Sequence, residues 1–174
     1  MGFTDKGILG CDIDFRAYPD VSSAIDSEIG KTMLLSDLGA VTGILPSTIQ
    51  NWVKRGYISK PDGKKYTAEQ AADIILLDNI KNSVELSDAS VLLRGVKEKS
   101  GVSSVDLLKV LAASLIRAKR FNSTDRSSLQ SVINIELRSF GKGDREVSSL
   151  IFIIALSALS ADYKRLAREE IKSI

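Results

Sequence analysis

The most constraining feature of the sequence is a pair of short helical segments separated by Gly43 and Pro46. Ser36 is suited to cap the first segment, residues 37–42, because its hydroxyl oxygen can accept a hydrogen bond from a free backbone N–H. Gly43 readily takes the left-handed conformation that ends a helix. Pro46 suits the first turn of the next helix, where its fixed φ is favourable and no backbone N–H is needed. The pattern predicts two helices joined by a tight turn, as in a helix-turn-helix.

The second helix is predicted over residues 47–55, and Gly56 ends it. Trp52 and Val53 follow Ile49 by three and four positions, a spacing that puts all three side chains on the face toward the core. The other face is polar and carries Ser47, Gln50, Asn51, Lys54 and Arg55. Gln and Asn can form paired hydrogen bonds with adenine edges, and Lys and Arg suit phosphates or guanine. This face is therefore a candidate surface for contacting nucleic acid.

A turn is predicted around Pro61-Asp62-Gly63, and it would close a short hairpin after the second helix. Such a hairpin has the place of the wing in a winged helix. Positive charge is concentrated here, although the net charge of the whole chain is only +2. Between residues 46 and 66 the bases are Lys54, Arg55, Lys60, Lys64 and Lys65, against the single acid Asp62. A solvated basic loop without a partner is the alternative interpretation.

The composition argues against catalysis and metal binding. His is absent and Cys11 is the single cysteine, which excludes Ser-His-Asp and Cys-His catalysis as well as thiolate zinc sites. No GxGxxG or P-loop pattern supplies a phosphate cradle for a nucleotide cofactor. The acidic residues are scattered over polar helix faces, where solvated carboxylates are expected. We predict that the protein is not an enzyme, with no catalytic residue, no metal ligand and no cofactor.

The amino-acid composition favours a folded, mostly helical protein. Hydrophobic residues make up 44% of the 174 positions, which is enough for a real core, while aromatic residues make up 6% and there are 3 prolines. A signal peptide pattern is absent from residues 1–15. The longest apolar run, residues 150–159, is too short to span a bilayer. These features, with the single cysteine, predict a cytoplasmic protein without membrane association.

Three segments are predicted. Residues 1–33 form an N-terminal segment that is partly docked through its large apolar side chains, residues 34–99 form the winged helix-turn-helix, and residues 102–174 form a helical bundle. Capping signals and apolar spacing predict further helices over residues 21–29, 68–82, 88–99, 105–119, 126–139 and 144–172. The first half of the last helix is apolar almost all round, which fits either a core helix of a monomer or a dimer interface.

Three stretches in succession resemble the DNA-binding domain of the MerR family of bacterial regulators. They read TIQNWVKRGYI, KKYTAEQAADIILLDNIKN and ELSDASVLLRG. The resemblance covers roughly residues 34–95 and rests on Thr48, Ile49, Gly56, Ile58, Lys65, Tyr66, Thr67, Glu69, Leu86 and Ser87. The chain resembles more closely the small bacterial proteins catalogued as domain of unknown function 1836. This likeness implies a mostly all-α fold, a MerR-like winged helix-turn-helix with a short two-stranded wing followed by a C-terminal helical bundle, and a role in transcription regulation.

The chain departs from the MerR pattern in two places. Gln50, Asn51 and Trp52 stand in the recognition helix where the family has aromatic or Arg-rich positions, so the family's phosphate contacts are not carried over to Gln50 and Asn51. The family's long dimerising coiled-coil helix is also replaced by the compact region 102–174. The family's dimer geometry therefore does not transfer to this chain.

Together these features predict a DNA-binding transcription regulator acting as a homodimer through its C-terminal helices. Ser47, Gln50 and Asn51 would contact base edges in the major groove of double-stranded DNA. The phosphate-binding residues would be Lys54, Arg55, Tyr57, Lys64, Lys65 and Tyr66, with Lys60 adding charge and Thr48 included through the resemblance. For Trp52 and Tyr66, packing in the core or at a hinge is favoured over stacking on bases. A protein-interaction adaptor that uses the same fold is the alternative function, and a small-molecule effector is possible without any feature that identifies it.

Overall fold

The computed structural model describes residues 9–11, 13–121, 125–141 and 144–173. Most of the described chain is helical, which confirms the predicted mostly α-helical class. The helices are α1 (Val21–Ile29), α2 (Leu35–Thr42), α3 (Pro46–Lys54), α4 (Ala68–Ile80), α5 (Leu86–Ser100), α6 (Ser104–Arg120), α7 (Arg126–Ser139) and α8 (Arg145–Ser173). Two short strands, β1 (Met33–Leu34) and β2 (Lys65–Tyr66), form an antiparallel pair. Each predicted helix occurs, with ends within two residues of those expected.

Local capping explains why these helices start where they do. The Asp20 carboxylate accepts a hydrogen bond from the Ser23 N–H at 2.8 Å, which caps α1. At the start of α4, Thr67 N–H donates to Gln70 Oε1 at 2.9 Å and Gln70 N–H donates to Thr67 Oγ1 at 3.3 Å. These two bonds are the capping box that the sequence predicts. Ser103 likewise accepts a hydrogen bond from the Asp106 N–H and starts α6.

The predicted cap of α2 is wrong. Ser36 lies inside the helix, which begins at Leu35, and its hydroxyl donates to Asp37. Asp37 instead accepts a hydrogen bond from the Leu34 N–H at 3.3 Å. The reason is the short strand β1, which leads directly into α2 and leaves no extended residue at position 36.

The sheet also differs from the predicted hairpin. β2 pairs with β1, with Met33 opposite Tyr66, and the turn itself holds only an isolated bridge between Asp62 and Lys65. The side-chain amide of Gln70 donates to the backbone carbonyls of Ser59 at 2.9 Å and Lys60 at 3.0 Å. These carbonyls are therefore occupied by a side chain and do not pair with β2. The two strands of the sheet come from segments about 30 residues apart in the sequence.

α4 lies at the centre of the hydrophobic core. Its residues Ile74, Leu76, Leu77 and Ile80 are fully buried, and the helix packs against α1, α2, α5, α6 and α8. One continuous cluster of buried apolar side chains includes residues from both 34–99 and 102–174. The helices of the predicted bundle are thus packed directly on the helices that carry the candidate site, while the proposed segment boundaries stay a prediction.

The described part of the N-terminal segment contributes to the same core. Leu9, Cys11, Ile13 and Phe15 are buried. The Asn79 amide of α4 donates to the Leu9 carbonyl at 2.9 Å, which satisfies a backbone acceptor in the interior. Residues 1–8 of this segment lie outside the described residues.

α8 is long and apolar enough, by length and composition alone, to cross a membrane between Arg145 and Lys172. The core helix of a soluble protein meets the same criterion. In this structure 44% of the most apolar window of α8 is buried inside the protein. The Ser157 hydroxyl donates a hydrogen bond to the Ile80 carbonyl of α4, so the buried face of α8 also carries a polar contact. The fold is compatible with a soluble protein, and cytoplasmic location stays a prediction.

Candidate nucleic-acid interface

The turn between α2 and α3 is fixed by local hydrogen bonds. Gly43 has φ +70°, and its N–H donates to the Gly39 carbonyl at 2.9 Å. The Thr42 hydroxyl donates to the Leu38 carbonyl at 2.7 Å and accepts from the Ile44 N–H at 3.3 Å. A left-handed residue followed by this bonded turn directs the chain into α3 at a defined angle. The predicted role of Gly43 is confirmed.

Gly39 allows α2 and the start of α3 to approach closely, and the sequence interpretation missed it. A Cβ atom at Gly39 would lie 3.3 Å from the Ile44 carbonyl oxygen and 3.3 Å from Cγ of Pro46. Few Cβ atoms have contacts this short, so a larger residue would have to displace the turn. A glycine four positions before the C-cap glycine is the only sequence signal for this contact.

The two faces of α3 are divided as predicted. Ile49 and Trp52 are buried and Val53 is half-buried. The polar residues Ser47, Gln50, Asn51, Lys54 and Arg55 are all exposed. The ring of Trp52 lies 5.6 Å from the ammonium nitrogen of Lys81, which follows α4. Trp52 is thus a core residue, as its helical spacing from Ile49 predicts.

The loop after α3 is held by α5. Gly56 has φ +76°, and the backbone N–H of Tyr57 donates to the Trp52 carbonyl at 2.9 Å. Arg94 donates from Nη2 to the Gly56 carbonyl at 3.1 Å, and the Ser90 hydroxyl donates to the Tyr57 carbonyl at 3.2 Å. These contacts join residues more than 30 positions apart, so no local pattern could have identified Ser90 and Arg94 as supports of the loop.

The turn at residues 61–64 lies beside α3. A groove of about 460 Å³ is lined by the start of α2, by α3 and by this turn. Gln50 of α3 and Lys64 of the turn both line the groove, as does Ser36 of α2. The structure therefore brings part of the polar face of α3 together with the basic loop.

Tyr66 is the predicted DNA-binding residue that is least accessible. The side chain is only 4% exposed, and burial raises the pKa of its phenol. Its position in β2 opposite Met33 turns the ring toward the core, so packing is its role. Thr48 and Tyr57 are half-buried. The exposed members of the predicted set are Ser47, Gln50, Asn51, Lys54, Arg55, Lys60, Lys64 and Lys65.

The cations of this surface have no acidic partners in the described chain. None of the described carboxylates lies within 4 Å of the charged nitrogens of Lys54, Arg55, Lys60, Lys64 or Lys65. Some bases elsewhere are paired: Lys97 lies 2.8 Å from Asp73, and Arg117 pairs with Glu136. The five unpaired bases at the end of α3 and on the loop lie close together in the sequence, between residues 54 and 65, and their positive charge would attract an anion.

A metal centre is not formed by the described residues. Among them, no three side chains of Asp, Glu, Cys or His are placed to hold an ion together. The predictions about catalysis and cofactors stay predictions.

A comparison with models of protein families identifies the family of this chain. The family model described as Domain of unknown function (DUF1836) matches residues 21–111. The chain belongs to this family. No curated protein and no solved structure matches it. The DUF1836 match runs from α1 into α6, so the family region includes the whole candidate surface together with α4, α5 and the first part of α6.

Proposed function

We propose that this DUF1836 protein is a DNA-binding transcription regulator with a MerR-like winged helix-turn-helix. α3 is the recognition helix in the major groove, and the loop at residues 57–65 is the wing along the sugar-phosphate backbone. The observation that carries the proposal is the concentration of unpaired cations beside an exposed, polar helix face. Basic residues without acidic partners are the electrostatic footprint of a protein that binds phosphates.

The exposed face of α3 supports contact with base edges. Gln50 and Asn51 are exposed on adjacent positions of the helix, and Ser47 lies one turn before them. Amide side chains can donate to N7 and accept from the N6 amino group of adenine at the same time. The buried Ile49 and Trp52 fix the rotation of the helix, so the amide side chains stay directed away from the core.

The basic residues support phosphate contacts at the end of that helix and along the loop that follows it. Lys54 and Arg55 lie at the C-terminal end of α3, and Lys60, Lys64 and Lys65 lie on the loop. Their charges would release counterions from DNA, so binding would weaken steeply as salt concentration rises. These contacts position the protein and carry no sequence information, which comes from α3.

An apolar stripe on α8, exposed except for the half-buried Leu159, supports a homodimer. Leu156, Leu159, Tyr163 and Leu166 follow one another by three, four and three positions, which is the spacing of a coiled-coil seam. Leu156 is 43% exposed and Tyr163 is 55% exposed. Pairing of this stripe between two copies would cover these side chains. A two-fold dimer would place two recognition helices on a two-fold symmetric DNA site.

The experiment that tests this function is selection of bound sequences from a random pool of double-stranded DNA. We expect a two-fold symmetric site to be enriched. A double variant, Lys54→Gln with Arg55→Gln, should fail to enrich it. The matched control is Arg120→Gln with Arg145→Gln, which removes the same charge from two exposed positions outside the candidate surface. If the wild-type protein retains no DNA at low salt, the proposal is wrong and the adaptor alternative is favoured.

A further inference from the structure

A second recess lies on the other side of the loop that follows α3. Its volume is about 570 Å³, which is within the usual range for small-molecule sites. The walls come from the end of α3, residues 56–60 of the loop, Asp73 of α4 and one face of α5. Apolar side chains from three of these elements, Val53, Ile58 and Leu93, form part of the lining.

One face of α5 supplies the polar groups. Ser90, Arg94 and Lys97 are spaced by four and three positions, so they lie along the same side of the helix. Lys54 and Lys60 line the recess from α3 and the loop. Cations from three separate elements therefore line one half-open recess, which is unlike the one-sided charge of an ordinary solvated helix face.

The recess has an excess of positive charge. Its lining contains four cations and two carboxylates, Asp73 and Glu98. Lys97 is compensated, because its ammonium lies 2.8 Å from Asp73. In the described chain, Lys54, Lys60 and Arg94 have no carboxylate within 4 Å. An anion in this recess would meet three uncompensated cations.

Arg94 is suited to hold a phosphate group. Its Nη2 donates to the Gly56 carbonyl at 3.1 Å, which fixes the guanidinium at the edge of the recess. A guanidinium carries five N–H donors in a planar fork, so this bond leaves donors for a ligand. Paired N–H donors match two oxygens of a phosphate. The hydroxyl of Ser90, one turn before Arg94 on α5, lies in the same lining.

We propose that this recess binds a phosphate-bearing small molecule. The phosphate contacts Arg94, Lys60 and Lys54, and the rest of the molecule contacts the apolar wall. A DNA duplex is too wide to enter a cavity of this size and could only cover its mouth. The proposal goes beyond the DNA-binding function and does not depend on it, since the ligand binds to the protein alone.

The site is connected to the rest of the fold through Lys97. This residue pairs with Asp73, which also accepts a hydrogen bond from the Ser104 hydroxyl at the start of α6. Glu69 accepts from the Ser104 N–H at 2.8 Å. A bound phosphate would compete with Asp73 for Lys97 and would weaken the ion pair between α4 and α5, which is hydrogen-bonded to the start of α6 through Ser104.

The test is a titration of the full chain with pyrophosphate, followed by backbone amide NMR at constant ionic strength set with NaCl. We expect saturable shifts of the amides of Gly56, Tyr57 and Arg94. Arg94→Gln removes the charge and keeps a side-chain N–H donor, and it should weaken binding about tenfold. Lys60→Gln changes an exposed loop residue and provides a second variant that leaves the core untouched. Arg138→Gln, an exposed arginine of α7, is the matched control and should bind like wild type.

Two outcomes would overturn the proposal. Shifts that do not saturate, or that weaken equally in Arg94→Gln and Arg138→Gln, would show only general attraction of anions. A parallel titration with a random-sequence DNA duplex identifies the other source of phosphate. If the duplex shifts these amides and pyrophosphate does not, the recess belongs to the DNA surface and the small-molecule proposal is wrong.

Discussion

The side-chain amide of Gln70 donates a hydrogen bond to the backbone carbonyl of Ser59 at 2.9 Å, across eleven positions of the sequence. The same amide reaches the carbonyl of Lys60, while its oxygen accepts the Thr67 N–H of the capping box. One nearly buried side chain thus starts α4 and also anchors the loop after α3. The proposed wing is therefore held by a side chain where a hairpin would use a backbone ladder.

Substitution of Gln70 should separate these two roles. Gln70→Glu keeps a side-chain oxygen that can accept from the Thr67 N–H and removes the N–H donors to the loop carbonyls. We expect Gln70→Glu to lower the free energy of unfolding by roughly 1–3 kcal/mol, because the loop carbonyls lose their donors and a carboxylate replaces the amide of a buried side chain. Gln70→Ala also loses the capping contact and should cost about 1 kcal/mol more. Chemical denaturation measures both, and equal stability of Gln70→Glu and wild type would show that the loop is not anchored by this amide.

Ser114 offers a stabilising change in the core. Its hydroxyl oxygen is buried in α6 and, within the described chain, has no hydrogen-bond partner. Ser114→Ala should raise the free energy of unfolding by about 1–2 kcal/mol, because an unsatisfied polar group is removed from the interior. Ser149→Ala is the control at an exposed position of α8, where only the helix propensity improves. Thermal melting that shows no larger gain for Ser114→Ala than for Ser149→Ala would contradict this interpretation.

The apolar stripe of α8 predicts how the oligomeric state responds to substitution. Tyr163→Glu would put a charge into the seam of the proposed dimer, so we expect the dissociation constant of the dimer to rise at least tenfold. Ala167→Glu adds the same charge to an exposed position of the same helix outside the stripe and should leave the dimer intact. Analytical ultracentrifugation distinguishes the two. A monomeric wild type, or equal dissociation of both variants, would count against the α8 interface.

A substitution of Asn51 tests whether α3 recognises the base sequence of DNA. Asn51→Ala should weaken binding to the selected DNA site by roughly 1–3 kcal/mol, since one paired contact to a base edge is lost. Binding to random-sequence DNA should stay unchanged because the phosphate contacts remain. Fluorescence anisotropy with the two duplexes makes the comparison. Equal weakening on both duplexes would assign Asn51 to a role other than base recognition.

The sequence predicted the positions of the helices much better than it predicted which strands pair with each other. Gly43, Gly56 and the Thr67–Gln70 pair are local signals, and each one acts within a few residues, so the helices beside them could be located from the sequence. The pairing of β2 with β1 depends on the tertiary position of residues 33–34, which no local pattern encodes. For this reason the sequence predicted a hairpin, whereas β2 pairs with the distant strand β1.

In the candidate site, too, features that depend on local sequence were predicted correctly and features that depend on tertiary packing were not. Helical spacing separated the buried and exposed faces of α3 correctly, because burial on a helix repeats with the turn. Tyr66 was assigned to phosphate contact from charge and resemblance, although its strand position turns it into the core. Ser90 and Arg94 were missed because their contacts to the loop arise only when α5 packs beside it.

The proposed function depends on the claim that unpaired cations on α3 and the loop bind DNA phosphates. The most direct measurement is the dependence of DNA affinity on NaCl concentration, by fluorescence anisotropy, for wild type, for Lys64→Gln with Lys65→Gln, and for the control Arg120→Gln with Arg145→Gln. We expect the slope of log K against log salt to become shallower by about two in the loop variant and to stay unchanged in the control. Equal slopes for all three proteins, or no binding by wild type at low salt, would contradict the claim.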